Sequence, residues 1–185
     1  MPRAVAGYRS GMTAAPPSAL RALRAVRAAG DAYDPDGRVD LGGFTGSLAT
    51  YGVVLAGVGA VARSSGRAPE RYGLGDLLVG GLATHKFSRL FARGAVTSPV
   101  RAPFTEFGEA AGASEHQERA RGEHGVRHTI GELLTCPFCL GVWVGTAYVA
   151  GLALAPRATR AWAATFAVTG ISDFLQHAYA RVRQD

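Results

Sequence analysis

The chain has 185 residues, of which 48% are hydrophobic and only 18% charged, with 25 glycines and a formal net charge of +6. An ordinary soluble domain carries about 25% charge, and two cysteines exclude a disulfide framework of the secreted kind. The pI of about 9.9 lies in the range of nucleic-acid binders, but the arginines flank apolar runs, as they do in membrane proteins, so nucleic acid is set aside as a partner.

Residues 1–40 lack the continuous apolar segment of a secretory signal. Residues 1–16 read as disordered. After Pro16-Pro17-Ser18, Leu20, Leu23 and Val26 recur every three residues beside Arg21, Arg24 and Arg27. That spacing fits a short amphipathic helix on an anionic membrane surface, or equally a frayed helix in solvent. Asp31, Asp34, Asp36 and Gly37 mark a turn-rich linker.

Leu41 to Ala62 is 22 residues without a charge, and a helix needs about 20 to cross the hydrocarbon core. Gly42, Gly46 and Gly59 give it the small-residue faces of packed membrane helices, compatible with a homo-oligomer. Tyr72 to Phe91 is a second candidate span, interrupted by Asp76, His85, Lys86 and Arg89. Charges of this kind must lie near the ends or face the protein interior. Residues 93–128 read as a long polar loop, stiffened by Pro99 and Pro103.

Pro137 to Ala155 is another uncharged run, of 19 residues. Proline is tolerated in the first helical turn, so the run begins a new helix after a short one at Thr129–Thr135, or continues it through a kink. After Pro156-Arg157, Ala161 to Ala180 is a fourth span, broken only by Asp173 and His177. The expected fold is therefore all-α: a polytopic membrane protein with spans at about 41–62, 72–91, 137–155 and 161–180, following an N-terminal tail over 1–40.

The tail, the 93–128 loop and the C-terminus hold most of the arginines, and the other side receives Arg63, Arg67, Arg71, Arg157 and Arg160. The positive-inside rule then puts both termini in the cytoplasm of a bacterial cell, with the chain in the inner membrane. This topology brings the ends of three spans to one layer. The expected functional cluster is His85, Lys86, Arg89, Ser98, Arg101, Glu132, Asp173 and His177, because ionisable groups within membrane helices are functional candidates. The competing reading is a structural ion-pair network at headgroup level, in which Asp173 pairs with Arg89.

Cys136-Pro137-Phe138-Cys139 is the sharpest local motif. Two thiols three apart at a helix start favour a thiolate, the basis of redox motifs. Soft thiolates can also join His85, His128 or His177 in a tetrahedral site; Cys136, Cys139 and His177 are the candidate ligands for zinc or iron. Packing of two ordinary buried cysteines is the third reading. No phosphate-binding glycine loop, Ser-His-Asp arrangement or HExxH motif is present.

The stretches THKFSRL (84–90), VTSPVRAPFTE (96–106) and GELLTCPFCLGVW (131–143) resemble, in that order, the YjcA-like family of small bacterial integral membrane proteins, a family of unknown function. The resemblance covers about residues 40–180. It implies a multi-helix membrane protein and no particular activity. The positions that carry it are Lys86, Ser88, Arg89, Ser98, Pro99, Arg101, Pro103, Phe104, Glu132, Cys136, Pro137 and Cys139. The expectation is a non-enzymatic scaffold or subunit without a cofactor, resident in the lipid bilayer and binding a protein partner through its cytoplasmic face. The alternative is a metal-binding or thiol-redox membrane protein using the Cys136–Cys139 motif.

Overall fold

A computed structural model describes residues 17–67, 71–112 and 114–183; the segment expected to be disordered, 1–16, lies outside them. The chain divides into two compact units, Met1–Leu41 and Gly42–Asp185. The first contains helix α1, Pro17–Tyr33. Its Leu20, Leu23 and Val26 stand exposed, so the three-residue pattern forms a helix whose apolar side is uncovered. Asp34 Oδ2 accepts the Val39 N–H and braces the linker that follows.

The second unit holds helices α2 (Leu41–Ser64), α3 (Leu74–Arg93), α4 (Ser98–Arg101), α5 (Val126–Thr135), α6 (Pro137–Leu154) and α7 (Pro156–Val182), with strands β1 (Thr105–Gly112) and β2 (Glu115–Ala120). Among the described residues, only α2 and α6 are long and apolar enough to cross a membrane by length and composition. Helices α3 and α7 form where the second and fourth spans were expected, but polar and charged residues along them, among them Asp76, Lys86, Arg89, Asp173, Gln176 and His177, make them less apolar than α2 and α6. Helix α7 begins at Pro156 rather than at Ala161. The proline occupies the first turn of α7 after Ala155, in a 27-residue helix, because its fixed φ suits that position and its missing N–H is not needed there.

The core is a three-helix pack of α3, α6 and α7. One cluster joins Ala83, Tyr148, Leu152 and Ala163 with Trp162 and Phe166. A second joins Ala92, Leu140 and Val144 with Phe87 and Phe91. Small residues let the backbones approach closely: α7 buries Ala163, Ala167 and Gly170, and α3 buries Gly80, Ala83, Ser88 and Ala92. Gly80 is required by this contact, because a Cβ there would overlap the Tyr148 ring.

Helix directions follow from the contacts. Gly80 meets Tyr148, Thr84 meets Gly145 and Ser88 meets Gly141, so α3 and α6 are antiparallel. Asp76 pairs with Arg160 and Lys86 with Asp173, so α3 and α7 run the same way. At the first of these ends Arg160 holds Asp76 by a two-pronged fork, both bonds 2.8 Å, and the Tyr148 hydroxyl donates to the Asp76 carbonyl at 2.7 Å.

Helix α2 stands more loosely: of its residues only Ala62 is buried. It touches α6 through Tyr51, whose ring meets Trp143 edge-on at 5.2 Å and whose hydroxyl lies 2.8 Å from Thr146 Oγ1.

The segment 93–128 folds into regular structure rather than remaining a loop. A 3-10 turn at Ala95–Thr97 and the one-turn α4 lead into an antiparallel hairpin of β1 and β2. The register pairs Thr105 with Ala120 and Phe107 with Glu118, with irregularities between Phe107 and Glu109 and between Ala110 and Gly112. These strands are mostly polar and exposed, so they lack the alternating apolar signal that marks a strand. The hairpin is held at both edges. Gly94 bridges Glu115 at the end of α3, and Gly131 of α5 lies against Phe104 O and Ala120 so closely that a Cβ would come within 2.5 Å of that carbonyl.

Candidate functional site

The site is built on the C-terminal end of α3. A helix leaves its last carbonyls without intrahelical partners, and here Arg101 and Thr97 supply them. Arg101 is 0% exposed. Its Nη1 donates to Phe91 O at 2.5 Å and Gly94 O at 3.1 Å, and to Thr97 Oγ1 at 2.5 Å. Thr97 Oγ1 lies within 2.8 Å of Leu90 O.

The other edge of the guanidinium meets Glu118 of β2, from Nε at 3.0 Å and from Nη2 at 2.6 Å. Glu118 also accepts from Thr105 Oγ1 at 2.6 Å and Ser98 Oγ at 2.9 Å. Burial alone would raise the Glu118 carboxyl. The Arg101, Thr105 and Ser98 hydrogen bonds and the Arg101 charge outweigh it and lower the group to about 2. A buried ion pair offsets its desolvation only when the remaining donors and acceptors are satisfied, and this one meets that condition. Ser98 and Arg101, expected in the functional cluster, therefore form a buried lock that pins the hairpin to α3.

Beside the lock, α3, α7 and the hairpin tip enclose a cleft of about 510 Å³. His85, Lys86, Arg89, Asp173 and His177 all line it, so five of the eight expected residues come together. Lys86 pairs with Asp173. Arg89 does not pair with Asp173; it forks onto Glu115 of β2, Nε to Oε1 and Nη2 to Oε2, both 2.9 Å. His85 stacks on Phe174 with ring centroids 6.0 Å apart.

Arg89 is 55% exposed as a side chain and Asp173 46%. Ion pairs so accessible to water contribute about 0–1 kcal/mol, so an incoming charged group can exchange with either partner at little cost. Chemically, the cleft is a set of cations held in place by carboxylates that an anion can replace.

Glu132 lies elsewhere. A larger cavity, about 820 Å³, opens between α2, α5, the start of α6 and β2, lined by Arg119, His128, Glu132, Cys136, Cys139 and Trp143 among others. The one polar layer expected from topology is thus two separate pockets.

The expected metal set of Cys136, Cys139 and His177 is not assembled. The cysteines line this second cavity and His177 lines the cleft. Helix periodicity is the reason. Leu140, Val144, Tyr148 and Leu152 form the buried face of α6, whereas Cys139, Val142 and Trp143 fall on the face towards α2. Among the described residues no three His, Cys, Asp or Glu side chains are grouped as metal ligands. Cys136 and Cys139 are instead paired with each other, Cα to Cα 5.3 Å. Cys136 is also the N-cap of α6, its Sγ accepting the Cys139 N–H at 3.2 Å. The break at Cys136 makes α5 and α6 two helices rather than one kinked helix.

Glu118, Glu115, Thr97 and Arg119 were not singled out from the sequence. They sit in the hairpin or its approach, where alternate side chains take opposite faces. Only the strand register shows that Glu118 points inward and Arg119 outward.

A family model described as a protein of unknown function (DUF1360) matches residues 78–179. The sporulation protein YjcA of Bacillus subtilis (strain 168) is 31% identical over 98 residues, which are 51% of this chain and 82% of that protein. No solved structure matches. The matched segment runs from α3 to α7 and contains the buried lock, the cleft and the cysteine pair. On these matches the chain belongs to the DUF1360 family of proteins of unknown function.

Proposed function

We propose that this chain is a multi-pass membrane protein that acts without catalysis, binding an acidic segment of a cytoplasmic protein partner through the cleft of His85, Lys86, Arg89, Asp173 and His177. The observation that carries the reading is the cleft itself: accessible cations, held by carboxylates that an incoming acidic group can replace. In this reading α2, α3, α6 and α7 all span the inner membrane, and both termini face the cytoplasm.

Several features support the membrane part. Helices α2 and α6 have the length and composition of spans. Leu77, Leu78, Val168, Ile171 and Leu175 leave α3 and α7 with exposed apolar surface, a patch of the kind that marks a membrane or interaction face. The charges nearest the middle of α3 and α7, Lys86 and Asp173, pair with each other, as charges inside a membrane helix do. The arginine distribution sets the orientation, and α1 then lies at the membrane surface with its apolar side in the interface.

Two measurements test the proposal. In a Cys136→Ser/Cys139→Ser background, a cysteine at Gly66 should react with a membrane-impermeant maleimide in intact cells. One at Gly112 should react only after permeabilisation. Equal labelling at both overturns the topology. A photo-crosslinking residue at Ala111, on the cleft rim, should give a discrete adduct with a cytoplasmic protein that Arg89→Glu abolishes. An adduct unchanged by Arg89→Glu removes the cleft from binding.

The paired cysteines favour a second reading, thiol–disulfide redox. Two thiols at Cys136 and Cys139 would pass two electrons and two protons to a disulfide acceptor as their own bond forms. A Cys136–Cys139 pair that stays oxidised in growing cells through a reductant pulse, scored by alkylation shift, removes this reading.

A further inference from the structure

The larger cavity carries more than the cysteine pair. His128 and Glu132, one helical turn apart on α5, face each other with Nε2 and Oε1 3.5 Å apart. The opposite atom of each, His128 Nδ1 and Glu132 Oε2, is buried without a hydrogen-bond partner. Buried polar atoms in native proteins are nearly always bonded. Arg119, across the cavity on β2, is exposed and lines the same space. The polar end of the cavity is therefore walled by the Arg119 guanidinium, the His128 ring and the Glu132 carboxylate.

The other end is apolar. Phe44, Leu48, Tyr51, Val142 and Trp143 line it. Tyr51 and Val142 also line a second cavity of about 580 Å³ that continues between α2 and α6 past Leu55, Val58, Val149 and Ala153. The two cavities adjoin at Tyr51 and Val142 and together make a slot along α6, crossed at one point by the Tyr51–Thr146 contact. From Cys139 to Ala153 it follows α6 for 14 residues, about 21 Å at 1.5 Å per residue. One leaflet supplies about 15 Å of a hydrocarbon core roughly 30 Å thick. Protein interiors do not keep such voids, yet α2 bridges to α6 through Tyr51 and buries only Ala62.

We infer that this slot binds a zwitterionic aminophospholipid of the bilayer, its phosphate at Arg119, its ammonium at Glu132 and one acyl chain between α2 and α6. The inference rests on the membrane reading above. Charge complementarity selects the headgroup. A guanidinium bonds phosphate oxygens in a planar fork. An ammonium donates to the Glu132 carboxylate, whose side chain is 38% exposed. A choline headgroup has no N–H to give Glu132, and a purely anionic headgroup leaves that carboxylate unmatched.

The two tryptophans make the test direct, since Trp143 lines the slot and Trp162 lies in the core. The full chain carrying Trp162→Phe is reconstituted in phosphatidylcholine vesicles containing increasing brominated phosphatidylethanolamine, phosphatidylcholine or phosphatidylglycerol. Trp143 fluorescence should be quenched by the brominated phosphatidylethanolamine with about a tenfold preference over phosphatidylcholine, the effect of a charge-assisted hydrogen bond. Glu132→Gln and Arg119→Gln should each reduce that preference towards one. With Trp143→Phe, where Trp162 remains in an otherwise native core, the selectivity should vanish.

Equal quenching by all three lipids overturns the proposal. So does a preference for phosphatidylglycerol that survives Glu132→Gln, or no quenching by any lipid together with crosslinking of Val142→Cys between two copies. A chain that floats with vesicles yet quenches without selectivity refutes this inference alone. A chain that does not float refutes the membrane reading and this inference with it.

Discussion

Replacing Glu118 by Gln removes the charge that Arg101 faces in the interior while keeping shape and, through the one remaining acceptor oxygen, about half of the hydrogen bonds that Glu118 accepts. Leaving a buried guanidinium uncompensated costs roughly 3–5 kcal/mol. The same interaction has a pH signature. The Glu118 carboxyl is lowered from 4.5 to about 2, a difference of 2.5 units, or about 3 kcal/mol at 1.36 kcal/mol per unit. Because the folded value is the depressed one, this stability is fully present above pH 4.5. It is lost as pH falls towards 2, with about 2 kcal/mol gone by pH 3. Reversible denaturation in detergent micelles, run on the native protein and on Glu118→Gln between pH 6 and pH 3, measures it. Other carboxylates titrate in both proteins and cancel in the difference. The gap between them should therefore narrow by about 2 kcal/mol on acidification. A gap independent of pH would refute an ionised Glu118 in the lock. Replacing both partners, Arg101→Met with Glu118→Leu, should cost less than Arg101→Met alone, because neither charge is then left buried and unpaired.

Gly80→Val should destabilise by about 1–3 kcal/mol or displace the Tyr148 ring, seen as a lower melting temperature and a shifted tyrosine signal; a neutral result refutes the close α3–α6 contact. Exchanging the Lys86–Asp173 pair should restore the crosslink from Ala111 that either single reversal weakens. Loss in the double variant equal to the sum of the single losses denies that the two act as a pair. Cys136→Ser with Cys139→Ser should leave helix content intact by circular dichroism, since serine also serves as an N-cap; collapse of α6 would show that the cysteine pairing is essential to the fold.

The helices were legible because their cause is local. An uncharged run of 22 residues at Leu41–Ala62 satisfies its own backbone bonds and needs no partner to be read. Pro137 marks a helix start for an equally local reason, a fixed φ and a missing donor. The hairpin was not legible. Its strands are polar on both faces, and the feature that orients them, Glu118 under Arg101, depends on a residue 17 positions away.

The candidate site divides along the same line. The residues of α3 and α7 that gather in the cleft could be named from helix direction and charge placement: His85, Lys86, Arg89, Asp173 and His177. That Arg89 answers to Glu115 rather than Asp173, that Ser98 and Arg101 disappear into a buried lock, and that Glu132 and the cysteines line a second cavity could not. Sequence by itself determined the apolar helices, because they follow from composition over one element. Only the tertiary structure decided which charges meet, because that depends on helix rotation and strand register, and a change of a single residue in either sends a side chain to another face.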